Sequence, residues 1–398
     1  MRERLLTPRF ATMWSYSFTV FVSLFQLLPA APYRVIELGG STAAAGLFLG
    51  LLTYASAFSA PISGAIADRV GQRRVLITVS LILAAISASY AFMTSYKVML
   101  AVVVVHGLFW SGLLSASSAY MSATIPPSRR AEGLGLWGLA SVSAIAAAPA
   151  LGFWVYRHGW ITLCVEIVTL NLIMTVIAWR LPHESQGAHE GHETQKAGKS
   201  TGREVLPSGL ASLVEWRVIV LAVTLGLIAF GYGGLTSFSA MFADDLHISP
   251  RSAFLSSMAA AMLVGRLTIG RALDRIGHRK VLLPVLVMPA IGLLLLGITY
   301  GPVMFVTSGV VFGAGFGLMY PAFAAYVITH VPVARRGAAF GAIIAAFDTG
   351  LGTGSTVMGT FIQEYGFRPA YLSAGALAVL AVPYFLIAER FVWGRQKE

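Results

Sequence analysis

Most charged residues in this chain lie in short intervals between apolar runs of about twenty residues, the length that crosses the ~30 Å hydrocarbon core of a bilayer as a helix. Only 11% of the 398 residues are charged, against ~25% in soluble domains. Too few charges remain to coat a water-exposed surface, so the pattern predicts an all-α membrane protein with twelve transmembrane helices. The predicted spans lie near 10–32, 43–66, 74–94, 98–120, 135–156, 160–180, 217–242, 252–274, 280–299, 302–328, 338–362 and 369–389.

The longest interruption of the apolar pattern is the polar segment 183–214, which separates six spans from six. We predict an N-terminal six-helix bundle over 1–182, a linker loop over 183–214 and a C-terminal six-helix bundle over 215–398. The linker contains His183, His189 and His192 among glutamates, but their irregular spacing is typical of a flexible tether rather than a metal site. With one cysteine and no nucleotide-binding motif, the chain is expected to hold no metal and no cofactor.

Lysine and arginine are distributed unevenly between the two sides of the predicted bundle. If the N-terminus lies inside, 22 of the 28 basic residues fall on the inner side, five fall in outer loops and Arg266 lies within a span. Basic residues in short loops are retained on the cytoplasmic side. This asymmetry predicts a multi-pass protein of the cytoplasmic membrane with both termini and the linker in the cytoplasm. The net charge of +11 then requires no nucleic-acid partner.

The two halves match each other at one fixed shift of 206 residues. GAIADRVGQRR at 64–74 aligns with GRALDRIGHRK at 270–280, and the same shift pairs Gly107 with Gly313 and Tyr120 with Tyr326. Independent matches at one shift indicate a duplicated six-helix unit. Parallel repeats in membrane proteins form a pseudo-symmetric cleft, and rocking of the halves exposes a midplane site to each side in turn.

The repeated loop is predicted to be a conformational latch between the halves. Its glycines allow close helix packing and a tight turn, and its aspartates can accept hydrogen bonds from arginines or from a helix N-terminus. The alternative is an ordinary basic loop with turn glycines, which recurrence in register disfavours. Arg266 is expected to pair with Asp348 or Asp274. The latch candidates are Gly64, Asp68, Arg69, Gly71, Arg73, Gly270, Asp274, Arg275, Gly277, Arg279 and Arg266.

The motif from Gly64 to Arg74, echoed from Gly270 to Lys280, resembles the hallmark G-x-x-x-D-R-x-G-R-R of the major facilitator superfamily of secondary transporters. The resemblance covers the whole chain. It implies that helices 1, 4, 7 and 10 line a cavity, that 2, 5, 8 and 11 form the interface between halves, and that 3, 6, 9 and 12 are peripheral. It also implies that Asp68 and Asp274 stabilise the outward-facing state. The chain is similar to the drug-proton antiporter branch, although the fourth-helix pattern R-x-x-Q-G is replaced around Val103 and His106.

Ionisable residues inside a bilayer are costly and are therefore functional candidates. Asp348 lies about ten residues into the eleventh span, near the midplane. It is a candidate for proton coupling, with hydrogen bonding to helices across the glycine-rich stretch 350–354 as the alternative. His106 and Glu166 are further proton-coupling candidates. Their alternatives are hydrogen-bonded packing for His106 and contact with the membrane interface for Glu166.

Polar and aromatic residues at matched depths are the candidates for a substrate cavity. The shift of 206 relates Gln26 to Tyr232 and Trp110 to Phe316. Helix packing is the alternative for each one. Together their aromatic character suits a neutral, amphiphilic or mildly cationic solute. The full set is Gln26, Trp110, Tyr120, Tyr232, Phe316, Tyr320 and Tyr326.

These features favour a secondary transporter that exports a small organic solute in exchange for protons by alternating access, because no ATPase-sized soluble domain is visible. An uptake symporter or uniporter of a small metabolite on the same fold is the alternative. A non-transporting receptor or an intramembrane enzyme is a remote one, since the ionisable groups are scattered rather than clustered. The expected partners are the solute, protons and the lipid bilayer, and the self-contained repeat favours a monomer.

Overall fold

The structure, a computed structural model, describes residues 5–182, 215–276, 278–332 and 335–394. Within these ranges the chain is almost entirely helical and crosses the molecule twelve times, as predicted. The helices are α1 Pro8–Glu37, α2 Thr42–Val70, α3 Gln72–Phe92, α4 Tyr96–Thr124, α5 Arg130–Tyr156, α6 Trp160–Arg180, α7 Trp216–Asp245, α8 Ala253–Ile276, α9 His278–Gly297, α10 Pro302–His330, α11 Arg336–Tyr365, α12 Phe367–Val379 and α13 Ala381–Trp393. The last two share the twelfth span, and the predicted linker 183–214 lies outside the described residues.

Most of these helices have the length and apolar composition needed to cross a bilayer. Among the described residues, nine spans meet both requirements, and α8 and α9 contain shorter apolar stretches at Ala253–Thr268 and Val281–Gly297. The remaining span, α11, is interrupted by glycine and threonine. Its glycines are needed for close packing, as described below.

Local sequence signals set several helix boundaries. The Thr7 hydroxyl accepts a hydrogen bond from the Phe10 amide at the start of α1, and Ser41 caps α2 in the same way. Gly71 joins α2 to α3 with φ +98°, a conformation that residues with a Cβ rarely adopt. The turn expected at this glycine of the repeated loop is therefore present.

The two halves use the same helix crossing at repeat-related positions. Gly107 of α4 lies against the carbonyl oxygen of Leu52 in α2, and Gly313 of α10 lies against the carbonyl oxygen of Met258 in α8. Both pairs are related by the shift of 206 found in the sequence. A side chain at either glycine would overlap the neighbouring backbone, so close approach explains why both positions are glycine.

The halves α1–α6 and α7–α13 meet at one face of the molecule and separate at the other. We call the face with the α1–α2 and α7–α8 connections the far face, and the face with the α2–α3 turn the terminal face. At the far face, Gly46 of α2 contacts the Ser355 carbonyl of α11. At the terminal face, a Cβ added to Gly64, Gly135 or Gly341 would meet no atom within 4 Å among the described residues. The cleft between the halves therefore opens towards the terminal face.

Candidate functional site

A cluster of aromatic rings from the C-terminal half lies at mid-depth beside this cleft. Tyr232 of α7 and Phe316 of α10 have ring centroids 4.3 Å apart, and Phe347 of α11 lies 5.9 Å from Phe316. Phe312 stacks on Phe316 at 5.2 Å, and Tyr320 meets Phe347 edge-on at 6.1 Å. Phe316 is fourteen residues into a 29-residue helix, which places the centre of the cluster roughly 21 Å from the start of α10.

Asp348 follows Phe347 and carries the negative charge nearest this cluster. Its side chain is half-buried and lies near Tyr320. Within the described residues its carboxylate has no hydrogen bond or ion pair. The glycine-rich stretch after it packs directly on α7, with Gly350 against Gly226 and Gly354 against the Phe230 carbonyl. Asp348 therefore does not link helices by hydrogen bonds across that stretch, and its carboxylate is available to a ligand or a proton.

The N-terminal half contributes a smaller aromatic wall and closes the site on its far side. Trp110 of α4 meets Phe21 of α1 edge-on at 5.8 Å. Beyond them, a residual cavity of about 10 Å³ lies between Phe25 and Tyr232, which is about the volume of one water-sized probe. A space of this size would not admit an organic solute.

Arg266 provides a positive charge at the interface between the halves. It lies on α8, and its Nε donates a hydrogen bond to the Gly317 carbonyl of α10 at 3.1 Å. Its Nη1 lies 3.4 Å from the position of a Cβ added to Gly138 of α5, in the other half. The expected ion pair with Asp348 is not formed. The Asp274 side chain, the other expected partner, lies outside the described part of the chain.

The remaining ionisable candidates lie inside the N-terminal bundle. His106 is buried, and its Nδ1 lies 3.3 Å from the Tyr90 hydroxyl of α3, with the two rings stacked at 6.0 Å. Gln26 is fully buried against Gly152 of α5 and lies close to the Glu166 carboxylate of α6. Neither amide atom of Gln26 forms a hydrogen bond in the described residues. These three candidates are therefore separated from the aromatic cluster.

The repeat-related Tyr120 and Tyr326 lie at the terminal face, where they join helix ends. The Tyr120 hydroxyl accepts a hydrogen bond from Arg9 at 3.0 Å and donates to the Pro182 carbonyl at 3.2 Å. The Tyr326 hydroxyl donates to Glu389 at 2.7 Å. Their equivalence in the sequence corresponds to an equivalent packing position and not to a place in the cluster.

Part of the predicted latch is described. Arg73 donates a hydrogen bond to the Trp179 carbonyl at the end of α6, at 2.5 Å, and Arg69 is exposed. Within the described part of the chain, a Cβ added to Gly64 of α2 would meet no atom within 4 Å. The Asp68 side chain and the surroundings of Gly270, Asp274, Arg275, Gly277 and Arg279 lie outside the described residues.

Sequence reasoning missed several residues of the site. Phe312 precedes Phe316 by one helical turn and Phe347 precedes Asp348, so both could have been found from their neighbours. Phe21 has no aromatic counterpart at the shift of 206, where Leu227 stands, and no signal marked it.

Comparison with known proteins agrees with this architecture. A family model described as Major Facilitator Superfamily matches residues 13–266 and 221–398. The chain is 23% identical over 387 residues to an uncharacterized MFS-type transporter, YhhS, of Escherichia coli K12, covering 95% of this chain and 91% of that protein. It is 23% identical over 363 residues to the staphylopine export protein of Staphylococcus aureus, covering 88% of each chain.

Solved structures show the same fold. The nucleoside transporter NupG superposes with a TM-score of 0.76 at 18% identity, covering 96% of this chain and 99% of that one. The human organic anion transporter MFSD10 gives a TM-score of 0.67 at 17% identity, covering 96% and 100%. With two six-helix halves around a cleft and a family match over nearly the whole chain, this protein belongs to the Major Facilitator Superfamily and is a multi-pass membrane transporter, not an enzyme.

Proposed function

We propose that the protein is a secondary active transporter that exports a small organic solute across the cytoplasmic membrane in exchange for protons. The observation that carries the proposal is Asp348, a carboxylate without a protein partner in the described residues, beside the aromatic cluster at mid-depth. A charge at this depth is costly unless it is neutralised. A proton or a positively charged solute would neutralise it, and competition between the two couples their movements.

The open and closed ends of the cleft support alternating access. The halves are in contact at the far face and apart at the terminal face. Because the halves are repeats, a rocking motion can exchange these two arrangements around a site that stays at mid-depth. We propose that the terminal face is cytoplasmic, since most basic residues of the chain fall on that side.

The lining of the site favours a neutral, amphiphilic or mildly cationic aromatic solute. Aromatic faces attract cations and offer large apolar contact areas. The described residues beside the cluster include one carboxylate, Asp348, whereas the Arg266 guanidinium is partly used by Gly317. A dianionic solute would need several buried basic groups. The direction of transport is proposed as efflux because of the similarity to the staphylopine export protein.

Everted membrane vesicles containing the full chain test this proposal. We use ethidium, a planar aromatic cation, and acidify the vesicle interior. Vesicles with the protein should accumulate ethidium faster than empty ones, and Asp348→Asn should lower the initial rate at least about tenfold, equivalent to ~1.4 kcal/mol. Glu166→Gln, a second carboxylate within a span, is the matched control and should stay within about twofold, under ~0.5 kcal/mol.

Two results would contradict the proposal. Equal loss in Asp348→Asn and Glu166→Gln would show that Asp348 has no special place in coupling. Accumulation that requires acid outside the everted vesicles would show that the solute moves in the same direction as the protons, as in a symporter.

A further inference from the structure

An open apolar groove lies on the N-terminal half, lined only by residues of that half. It has a volume of about 500 Å³ and is formed by α2, α3 and α4 in their terminal-face halves. One wall is a stripe on α2 with i, i+4 spacing, made of Phe58, Ile62, Ile66 and Val70. Phe58 is 76% exposed and Ile62 is 57% exposed. These side chains stand at the groove without a protein neighbour that covers them, among the described residues.

The serine hydroxyls inside the groove are already used. Ser59 and Ser63 of α2 both share hydrogen bonds with the Ser111 hydroxyl of α4. Ser59 also donates to the Leu108 carbonyl. Because these polar groups are satisfied within the protein, the groove presents mainly hydrocarbon to its occupant. An apolar chain suits it better than a polar solute.

The length and depth of the groove match one leaflet of a bilayer. Phe58 and Val70 are twelve residues apart on α2, which is ~18 Å along the helix. Half of the hydrocarbon core is ~15 Å. The groove ends at the turn at Gly71, where α2 reaches the terminal face. An acyl chain lying along the groove would therefore end with its headgroup beside this turn.

The residues at that end are basic. Arg69 and Arg74 adjoin the groove residues Val70 and Val75, and both are exposed. The segment 68–74 contains three arginines and one aspartate, a net charge of +2. Arginine forms strong charge-assisted hydrogen bonds with phosphate, and basic residues at a membrane surface attract anionic lipids.

We infer that this groove is a binding site for an anionic phospholipid, with one acyl chain along α2 and the phosphate at Arg69 and Arg74. The chemistry of the two parts explains the choice of ligand, because a hydrocarbon groove one leaflet long leads directly to a pair of exposed guanidinium groups. The site is distinct from the aromatic cluster, since all of its lining residues belong to α2, α3 and α4. Bound lipid would reinforce the packing of α2 on α3 and α4.

Native mass spectrometry of the purified full chain tests the site. Dioleoyl phosphatidylglycerol and dioleoyl phosphatidylcholine are titrated separately, and retention of the first bound lipid is measured. The wild type should bind the glycerol lipid at least fivefold more tightly. The double variant Arg69→Gln and Arg74→Gln should remove this preference. Each basic group near an anionic headgroup contributes ~1 kcal/mol to binding, equivalent to about fivefold in affinity. Ile62→Trp, which fills the groove, should weaken retention of both lipids.

The repeat provides matched controls. The shift of 206 relates Ile62 to the exposed Thr268, so Thr268→Trp introduces the same side chain in the other half and should leave retention unchanged. Equal retention by the wild type and Ile62→Trp would overturn the inference, as would equal binding of the two lipids. Displacement by free glycerol phosphate would show that the arginines bind phosphate without the acyl chain. A dimer that Ile62→Trp dissociates would show that a second copy covers the groove.

Discussion

The two ends of the interface between the halves are packed in opposite ways. At the far face, Gly46 of α2 lies against the Ser355 carbonyl and Gly352 of α11 lies against the Thr53 hydroxyl, so backbones touch. At the terminal face, Gly64, Gly135 and Gly341 face open space among the described residues. Glycine therefore appears on the interface helices at both ends, but only one end uses it for contact in this state.

Hydrogen bonds between the halves accompany the glycine contacts at the closed end. The Ala43 amide donates to Gln363 at 3.2 Å, and the Tyr54 and Thr353 hydroxyls lie 2.5 Å apart. The Ser355 hydroxyl donates to the Gly46 carbonyl at 2.8 Å, and the Tyr33 hydroxyl donates to Asp244 at 2.8 Å. A hydrogen bond that exchanges with water contributes only ~0.5–1.5 kcal/mol net. Water can replace these hydrogen bonds when the end opens, as alternating access requires. The glycines of the open end are then expected to make contact when the other end separates.

The largest expected effect comes from a side chain at the closed end. Gly46→Leu would overlap the Ser355 carbonyl, which is backbone and cannot move aside, and overpacking costs ~1–3 kcal/mol. The far face should open. A cysteine at Thr236, which borders the closed residual cavity, reports this as faster labelling by an impermeant maleimide from the far side, by about 10- to 100-fold. Cys164, the only cysteine of the chain, is replaced by serine. Unchanged labelling would mean that α2 and α11 do not form the closure.

A leucine at the open end should have the opposite effect on the labelling rate. Among the described residues, a Cβ at Gly135 meets nothing within 4 Å, so Gly135→Leu should fold normally and keep its thermal midpoint. It would obstruct closure of the terminal face, so the far face would open less often. Labelling of the cysteine at Thr236 should fall about tenfold, equivalent to ~1.4 kcal/mol. The repeat-related Gly341→Leu should have the same effect. Faster labelling in either variant would contradict the assignment of the terminal face as the open end.

Two tyrosines at the far face distinguish a bond between the halves from a bond within one half. The Tyr33 hydroxyl bonds Asp244 in the other half, whereas the Tyr156 hydroxyl bonds Glu37 within its own half at 2.6 Å. The two rings are 6.3 Å apart. Tyr33→Phe should raise labelling of the cysteine at Thr236 about fivefold, since one hydrogen bond of ~1 kcal/mol is lost from the closed state. Tyr156→Phe should leave labelling unchanged. Equal effects would assign the change to general loosening of the far face.

Much of the fold was predictable because its signals are local or repeated. Apolar runs of about twenty residues defined the twelve spans, and the shift of 206 located the equivalent crossings at Gly107 and Gly313. The contacts between halves gave no such signal. Gly46 and Ser355 are not repeat-related, and neither are Tyr33 and Asp244. Their proximity depends on how the two bundles are placed against each other, which no local pattern encodes.

The depth of the candidate-site residues along their helices was predictable, but the direction in which each side chain points was not. The shift of 206 placed Gln26 and Tyr232 at equivalent positions, yet Tyr232 joins the aromatic cluster and Gln26 is buried in its own bundle. A helix that is apolar on all sides carries little information about its rotation. Asp348 stood out because a carboxylate at mid-depth is rare. His106 and Glu166 satisfied the same criterion but face the interior of the N-terminal half.

The smallest effect is expected from the ion pair that adjoins the Tyr33 bond. Arg251 Nε lies 2.7 Å from Asp244, and its guanidinium lies 5.1 Å from the Tyr33 ring centroid. The two charged side chains are 46% and 34% exposed, and exposed pairs contribute only ~0–1 kcal/mol. Arg251→Gln should therefore raise labelling of the cysteine at Thr236 by no more than about twofold to threefold. In 1 M salt the difference from the wild type should vanish, because screening weakens exposed pairs. An effect larger than that of Tyr33→Phe, or one that persists in high salt, would show that Arg251 and not the tyrosine hydroxyl holds the halves together at this face.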